Sequence, residues 1–227
     1  MNKTCRTLLL FSLPVLLAGN LLSASGWEFG IRTGLTRSKA AISRDLPFLT
    51  VEPLDEISFS SFLSFFFAGD GFGIQPEIGY SVKGFGVAET DRGEEIITEY
   101  KISYIEIPVL IAYRFPLKGR LKPGLVCGPY FGFAQKVREV QTAFGHTEKR
   151  ELDDNLAKTD IGLVLGGNIS CRLGSVSLEL SVRYSLGFVN ISKNIMEVSY
   201  DFEEGDTIKN RALTLSLGIA FTPSASR

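Results

Sequence analysis

The chain has 227 residues, 44% of them hydrophobic and 11% aromatic, with 23 glycines and a formal net charge of −1. That composition is too apolar for a disordered chain and fits one domain. With 24 basic against 25 acidic residues, there is no basic footprint of the kind nucleic acid requires.

The chain opens Met1-Asn2-Lys3-Thr4-Cys5-Arg6 and continues in an apolar run from Leu8 to Leu22, broken by Pro14, Gly19 and Asn20. It leaves that run through Ser23-Ala24-Ser25-Gly26. A basic start, a short apolar core and a small-residue exit describe a secretory signal peptide over residues 1–26. The run is too short and too interrupted to stay as a membrane anchor. Cleavage would remove Lys3 and Arg6 and no acid, leaving 22 basic and 25 acidic residues, a net −3. No cysteine follows the apolar core where a lipoprotein signal needs one. No later stretch reaches the length of a transmembrane helix, so a membrane would have to be crossed by strands.

Eight segments alternate apolar and polar residues with period two, the signature of strands whose side chains switch face at every residue. The first, Trp27–Thr36, sets Trp27, Phe29, Ile31 and Leu35 against Glu28, Gly30 and Arg32. The second, Ile57–Ala68, is apolar on both faces. The third, Phe72–Lys83, opposes Phe72, Ile74, Ile78 and Val82 to Gln75, Glu77, Ser81 and Lys83. The fourth, Tyr100–Phe115, turns Ile105, Ile107, Val109 and Ile111 one way and Glu106 and Arg114 the other. The fifth, Leu121–Phe133, carries Leu125, Cys127 and Phe131 opposite glycines and Tyr130. The sixth, Thr159–Leu173, opposes Ile161, Leu165 and Ile169 to Asp160, Asn168 and Arg172. The seventh, from Val176 to Phe188, has Leu178, Leu180 and Val182 facing away from Glu179, Ser181 and Arg183. The eighth, Ala212–Phe221, places Leu213, Leu215 and Leu217 opposite Thr214, Ser216 and Gly218.

The connections alternate in length. Gly69-Asp70-Gly71, Pro116–Arg120 and Gly174-Ser175 are short. Arg37–Glu56, Gly84–Glu99, Ala134–Lys158 and Val189–Arg211 are long and charged. Strands with one wholly apolar face, behind a secretion signal, with short turns at one end and long loops at the other, describe an all-β, eight-stranded, antiparallel up-and-down transmembrane barrel. It has lipid outside and polar groups inside. The barrel domain covers residues 27–221, and residues 222–227 are a short C-terminal extension. A rival reading turns the faces round, giving a soluble periplasmic lipocalin-like barrel around a lipid.

Pro76, Pro108, Pro123 and Pro129 fall inside these strands, and each removes a ladder hydrogen bond. Either bulges and strand ends accommodate them, or some boundaries are misplaced. Cys127 and Cys171 remain in the mature chain on the apolar faces. They are read as two small lipid-facing hydrophobes, with a disulfide as the alternative.

The segment Tyr104-Ile105-Glu106-Ile107-Pro108-Val109-Leu110, closing on Tyr113-Arg114-Phe115, resembles the short outer-membrane β-barrel family called porin-like or PorT-like. Gln75-Pro76-Glu77, Gly128-Pro129-Tyr130 and Asp160-Ile161-Gly162-Leu163 resemble the same family, and the similarity covers nearly the whole mature chain. The resemblance implies the barrel fold and the bacterial outer membrane, with in-strand prolines tolerated at these places. It implies no common reaction. One branch is linked to protein secretion, and no residue here assigns the chain to it. Phe221 takes the place of the family's terminal aromatic, with Thr222–Arg227 running past it.

The inward charged set centres on Glu28, Arg32, Glu77, Glu106, Arg114, Glu179 and Arg183, joined by Gln75, Lys83, Asp160 and Arg172. An eight-stranded barrel is just wide enough for side chains to fill, so these charges are expected to pair as a core. The alternative is a narrow ion path. Trp27, Tyr80, Tyr100, Tyr104, Tyr113, Tyr130 and Tyr184 are candidates for aromatic girdles at the membrane surfaces. The single histidine, His146, falls in the third long loop with Asp153 and Asp154 nearby, a weak basis for acid–base chemistry. The acidic run Glu197, Asp201, Glu203, Glu204 and Asp206 reads as a solvated loop, with divalent-cation binding as the alternative. No cofactor or metal motif appears. The expectation is a non-enzymatic barrel acting through its loops or within an envelope or secretion assembly. Its partners would be outer-membrane lipid and lipopolysaccharide, the barrel assembly machinery and other envelope proteins.

Overall fold

A computed structural model describes residues 24–43, 50–67, 71–91, 94–144, 146–152, 159–191 and 207–223. Most of the segment read as a leader lies outside them. Its last residues, Ala24–Gly26, form the start of the first strand.

Ten strands follow in order: β1 (Ala24–Ile42), β2 (Thr50–Glu52), β3 (Leu54–Phe67), β4 (Phe72–Asp91), β5 (Glu94–Arg114), β6 (Leu121–Ala143), β7 (His146–Leu152), β8 (Thr159–Leu173), β9 (Val176–Gly187) and β10 (Ile208–Phe221). Eight of them close a ring, β1-β10-β9-β8-β6-β5-β4-β3 and back to β1, every pair antiparallel. The period-two pattern dictates which face lies inside. Leu35, Ile111, Leu125, Leu217 and their neighbours stand exposed on the outer wall, while Arg32, Glu77, Glu179 and Arg183 are buried within. This excludes the lipocalin-like alternative, which needs the opposite orientation.

Three of the segments read as long loops are largely sheet: within Arg37–Glu56, β1 runs on to Ile42, β2 spans Thr50–Glu52 and β3 begins at Leu54. β4 and β5 continue as a hairpin through the stretch Gly84–Glu99, paired up to Asp91↔Glu94. Most of Ala134–Lys158 forms a second hairpin of β6 with β7, ending on Ala143↔His146. Their charges masked the strand pattern because the outward face here meets water, so both faces lose the apolar contrast. A bulge adds to this. Gln135 is inserted between Ala134↔Tyr104 and Lys136↔Ser103, so inward positions on β6 change from even to odd numbers and Val137 becomes a buried residue.

Above the membrane-facing wall, these extensions enclose a core of their own. Ala40, Phe85, Val87, Tyr100, Ile102, Tyr104, Val137, Ile191 and Ile208 pack together inside the loop end. A smaller apolar cluster, Leu110, Ala112, Val126, Tyr130 and Val164, lines one side of the lumen lower down.

The prolines interrupt the ladder without shifting it. Pairing between β4 and β5 lapses between Pro76↔Val109 and Gly79↔Glu106 and resumes in the same register. Pairing of β5 with β6 does the same beside Pro108. Each proline removes a donor, and the strands on either side keep the alignment. Cys127 lies opposite Leu165 and Cys171 opposite Leu121, six positions apart along β6 and β8, and both are free thiols.

The wall is irregular at one place. Pro53 separates β2 from β3, and the two pair with β4 in registers one residue apart. Between Phe59↔Tyr80 below and Glu52↔Gly86 above, no ladder pair joins the two edges. Side chains close this seam. The Ser38 hydroxyl lies 3.0 Å from both the N–H and the carbonyl oxygen of Gly84. A Cβ on Gly84 would stand 1.7 Å from the Tyr100 carbonyl oxygen, so only glycine allows this approach. Lys101 reaches across the same glycine to Glu56 at 2.9 Å and also meets Glu99 at 3.0 Å. Burial pulls the Lys101 pKa down, but its hydrogen bonds to Glu56 and Glu99 prevail and hold it above the usual lysine value.

Candidate functional site

The lumen gathers buried charged side chains, and among the described residues it holds them in three tiers. At the turn end, Glu28 of β1 accepts from Arg114 (3.1 and 2.7 Å), from Arg172 (3.0 Å) and from the Thr222 hydroxyl (3.2 Å). The Arg114 guanidinium lies 4.0 Å from the Phe66 ring centre. Arg172 is half in solvent at the mouth.

In the middle tier, Glu77 of β4 is the hub. It accepts from Arg32 (3.1 Å), from Arg183 (2.7 and 3.0 Å) and from the Gln75 amide (2.5 Å), and Ser64 donates to Gln75 in turn. Arg32 extends its other nitrogen to within 3.0 Å of Glu179, which also accepts from Asn168. Two cations face two anions, and all four side chains are buried. Arg32 lies 4.1 Å from the Phe62 ring centre, a cation–π contact. Phe62 fits because Gly30 beside it has no Cβ, which would otherwise fall 2.2 Å from the ring. The two-faced apolarity of the second expected strand is thereby accounted for. Its inward phenylalanines, Phe62 and Phe66, are platforms for arginines.

In the upper tier, Lys83 donates to Glu106, stands 4.0 Å from Asp160 and lies 4.3 Å from the Tyr130 ring centre. Asp160 accepts from the Tyr130 hydroxyl (2.9 Å) and the Asn210 amide (3.0 Å), and Asn210 also reaches the Tyr104 oxygen (3.2 Å). Three of the tyrosines read as girdle residues are therefore internal: Tyr100, Tyr104 and Tyr130 are each almost wholly buried. Parity gives the reason. Tyr100 and Tyr104 share the even numbering of Glu106 on β5, and Tyr130 follows the glycine face of β6. Trp27, Tyr80 and Tyr184 are exposed on the outer wall. Asn210 was missed because the sequence reading began the last strand at Ala212.

Between the tiers lies a pocket of about 70 Å³, bordered by Arg32, Glu77, Lys83, Glu106 and Arg183 and by Ser58 and Tyr80 at the seam. At roughly 10–15 Å³ per water it has room for a few waters. His146 opens β7 with an exposed side chain. Asp153, Asp154 and the acidic run from Glu197 to Asp206 lie outside the described residues.

A ring of eight strands with a charged interior and an apolar outer wall is the architecture of small outer-membrane barrels. The family model described as "Outer membrane protein beta-barrel domain" matches residues 7–193. The chain belongs to that family. Its site is therefore the inside of an outer-membrane barrel, in the bacterial outer membrane. Among solved structures, OprG from Pseudomonas aeruginosa is similar at 11% identity and TM-score 0.51, over 89% of this chain and 98% of that one. Neisserial surface protein A is 16% identical with TM-score 0.45, over 85% and 96%. The outer-membrane protease OmpT from Escherichia coli is 9% identical with TM-score 0.38, over 88% and 98%. At such identities the likeness to OprG shows the fold alone. No curated protein matches the chain.

Proposed function

We propose that this outer-membrane barrel is a closed, non-enzymatic platform that acts through its loop-end surface. One observation carries the reading: among the described residues the bore is filled twice, by the ion-paired tiers and by the apolar core above them, with a pocket of about 70 Å³ between the tiers. A solute path through it would require separating the Glu77 pairs from both arginines. Every described carboxylate of the tiers has a cation or an amide beside it, an arrangement that argues against a free general base. The segment Tyr104–Phe115 supports kinship with the porin-like and PorT-like members, so an envelope or secretion assembly is the partner class to test first.

Planar-bilayer recording tests the closed lumen. Silence, or brief small flickers, is the expected result, and steady conductance would replace the platform by the narrow channel. For the chemistry, His146→Ala should leave the lipid A of the host unchanged, and an altered profile would restore the enzyme reading. Crosslinking from the hairpin tip at His146, compared with crosslinking from the turn at Lys118, locates the partner. Capture from the turn end alone would overturn the loop-end assignment.

A further inference from the structure

Just above the apolar wall, the outer faces of β1 and β10 become basic. Leu35 on β1 and Leu213 and Leu215 on β10 are the last exposed apolar residues. One or two steps further toward the loop end, the same faces carry Arg37 and Lys39 on β1 and Lys209 and Arg211 on β10. The register sets Lys39 directly opposite Arg211 and Ala41 opposite Lys209. Like charges directly opposed across a ladder weaken it, and this pair keeps its place at the rim.

Among the described residues only Arg37 of the four has a carboxylate, Asp55 of β3, at 2.9 and 2.8 Å. Arg211 spends one nitrogen on the backbone carbonyls of Gly187 (2.6 Å) and Asn210 (3.0 Å), which fixes its guanidinium while its remaining N–H groups have no partner among the described residues. Among those residues no carboxylate pairs with Lys39 or Lys209. Three cations without a counter-charge among the described residues, one of them held rigid, thus stand at the height where a membrane's head groups begin.

We propose that Lys39, Lys209 and Arg211 form a binding site for the phosphorylated head group of an outer-leaflet lipid, with Arg37 at its edge. A phosphate between Lys39 and Arg211 turns a repulsive cross-strand pair into a bridged one, and its acyl chains lie along Leu35, Leu213 and Leu215 below. Arginine offers the planar fork that grips phosphate, and lysine adds point charge. The site is on the outer wall and does not depend on whether the lumen is closed.

The test uses the mature protein in detergent micelles, scored by native mass spectrometry, with diphosphoryl lipid A as the probe beside its dephosphorylated form and inorganic phosphate. The wild-type barrel should retain the diphosphoryl form preferentially. Lys39→Gln with Lys209→Gln should weaken that retention roughly tenfold or more, as expected for two cations removed near an anionic lipid surface, with retention of the dephosphorylated form unchanged. Asp55→Asn, which releases Arg37 and removes the anion paired with it, should tighten it. This arm is a gain and cannot be mimicked by misfolding. Equal retention by wild type and by a double variant that keeps its heat-modifiable gel mobility overturns the site. So does displacement of the lipid by inorganic phosphate at equal concentration, which would make it a site for the free ion. Failure of Asp55→Asn to tighten binding counts against it as well.

Discussion

Removing the charge of Glu77 is the sharpest probe of the interior. In Glu77→Gln the shape is kept and one negative charge is lost from a tier in which two arginines face two carboxylates. Arg32 retains Glu179 at 3.0 Å, but among the described residues Glu77 is the only carboxylate that meets Arg183. Arg183 would be left buried and unpaired, and breaking one side of a buried pair costs about 3–5 kcal/mol. Since 1.36 kcal/mol is a factor of ten, the folding constant should fall by roughly two to nearly four powers of ten. Glu28 offers an internal control. It pairs with Arg172 at a mouth where water enters, so Glu28→Gln should cost clearly less. Urea unfolding in lipid vesicles, followed by the gel shift between folded and boiled forms, measures both. Adding Arg183→Gln to Glu77→Gln should recover much of the loss, because the unpaired cation goes with it. A cost below about 1 kcal/mol, the scale of an exposed pair, would refute the reasoning, as would a double variant no more stable than the single one.

Arginine at Leu180, on the lipid face of β9, should cost about 2–4 kcal/mol near the midplane, whereas Ser181→Thr on the inner face keeps the hydroxyl that meets Ser216 and should be mild; the same unfolding assay compares them. Lys101→Met should loosen the seam between β3 and β4, read as faster hydrogen exchange at residues 81–84. Because the folded-state pKa of Lys101 is raised, its contribution is complete below the unfolded value and lost only as pH climbs past it. The thermal-stability gap between wild type and variant should therefore stay flat from neutral pH to about 10 and close above the usual lysine value of about 10.4. Cys127 and Cys171 should both be alkylated in unfolded, unreduced protein, since they sit six positions apart along neighbouring strands; a mass matching a disulfide would contradict the register.

Most of the wall could be read from the residues, because lipid on one side and charge on the other give period two its strongest contrast. Leu178-Glu179-Leu180-Ser181-Val182-Arg183 specifies both a strand and its orientation. The reading stopped where the outer solvent changes to water. There Phe85, Val87, Ile102 and Val137 face inward and charged residues outward, the reverse of the sign lower down, and the bulge at Gln135 shifts the phase again. The inward charges could be listed from parity, but their partners could not. That Glu77 collects two arginines, or that Asp160 is held by Tyr130 and Asn210, depends on strand stagger and on rings that glycines make room for. Neither is written in any local stretch.

The reversal of sign has a physical consequence for how the molecule comes apart. Within the membrane the barrel is held by ion pairs inside and lipid outside, while its loop end is an ordinary water-facing sheet around Phe85, Ile102 and Val137. The two parts answer to different solvents. Urea, which solvates apolar side chains and peptide groups, acts first on the loop end and should open it while the lipid-embedded wall stands. Cooling also weakens apolar burial, so the tip should loosen in the cold when the charged interior does not. One continuous set of strands thus crosses from one kind of stability to another, with the change falling near the bulge at Gln135 and the seam at Gly84.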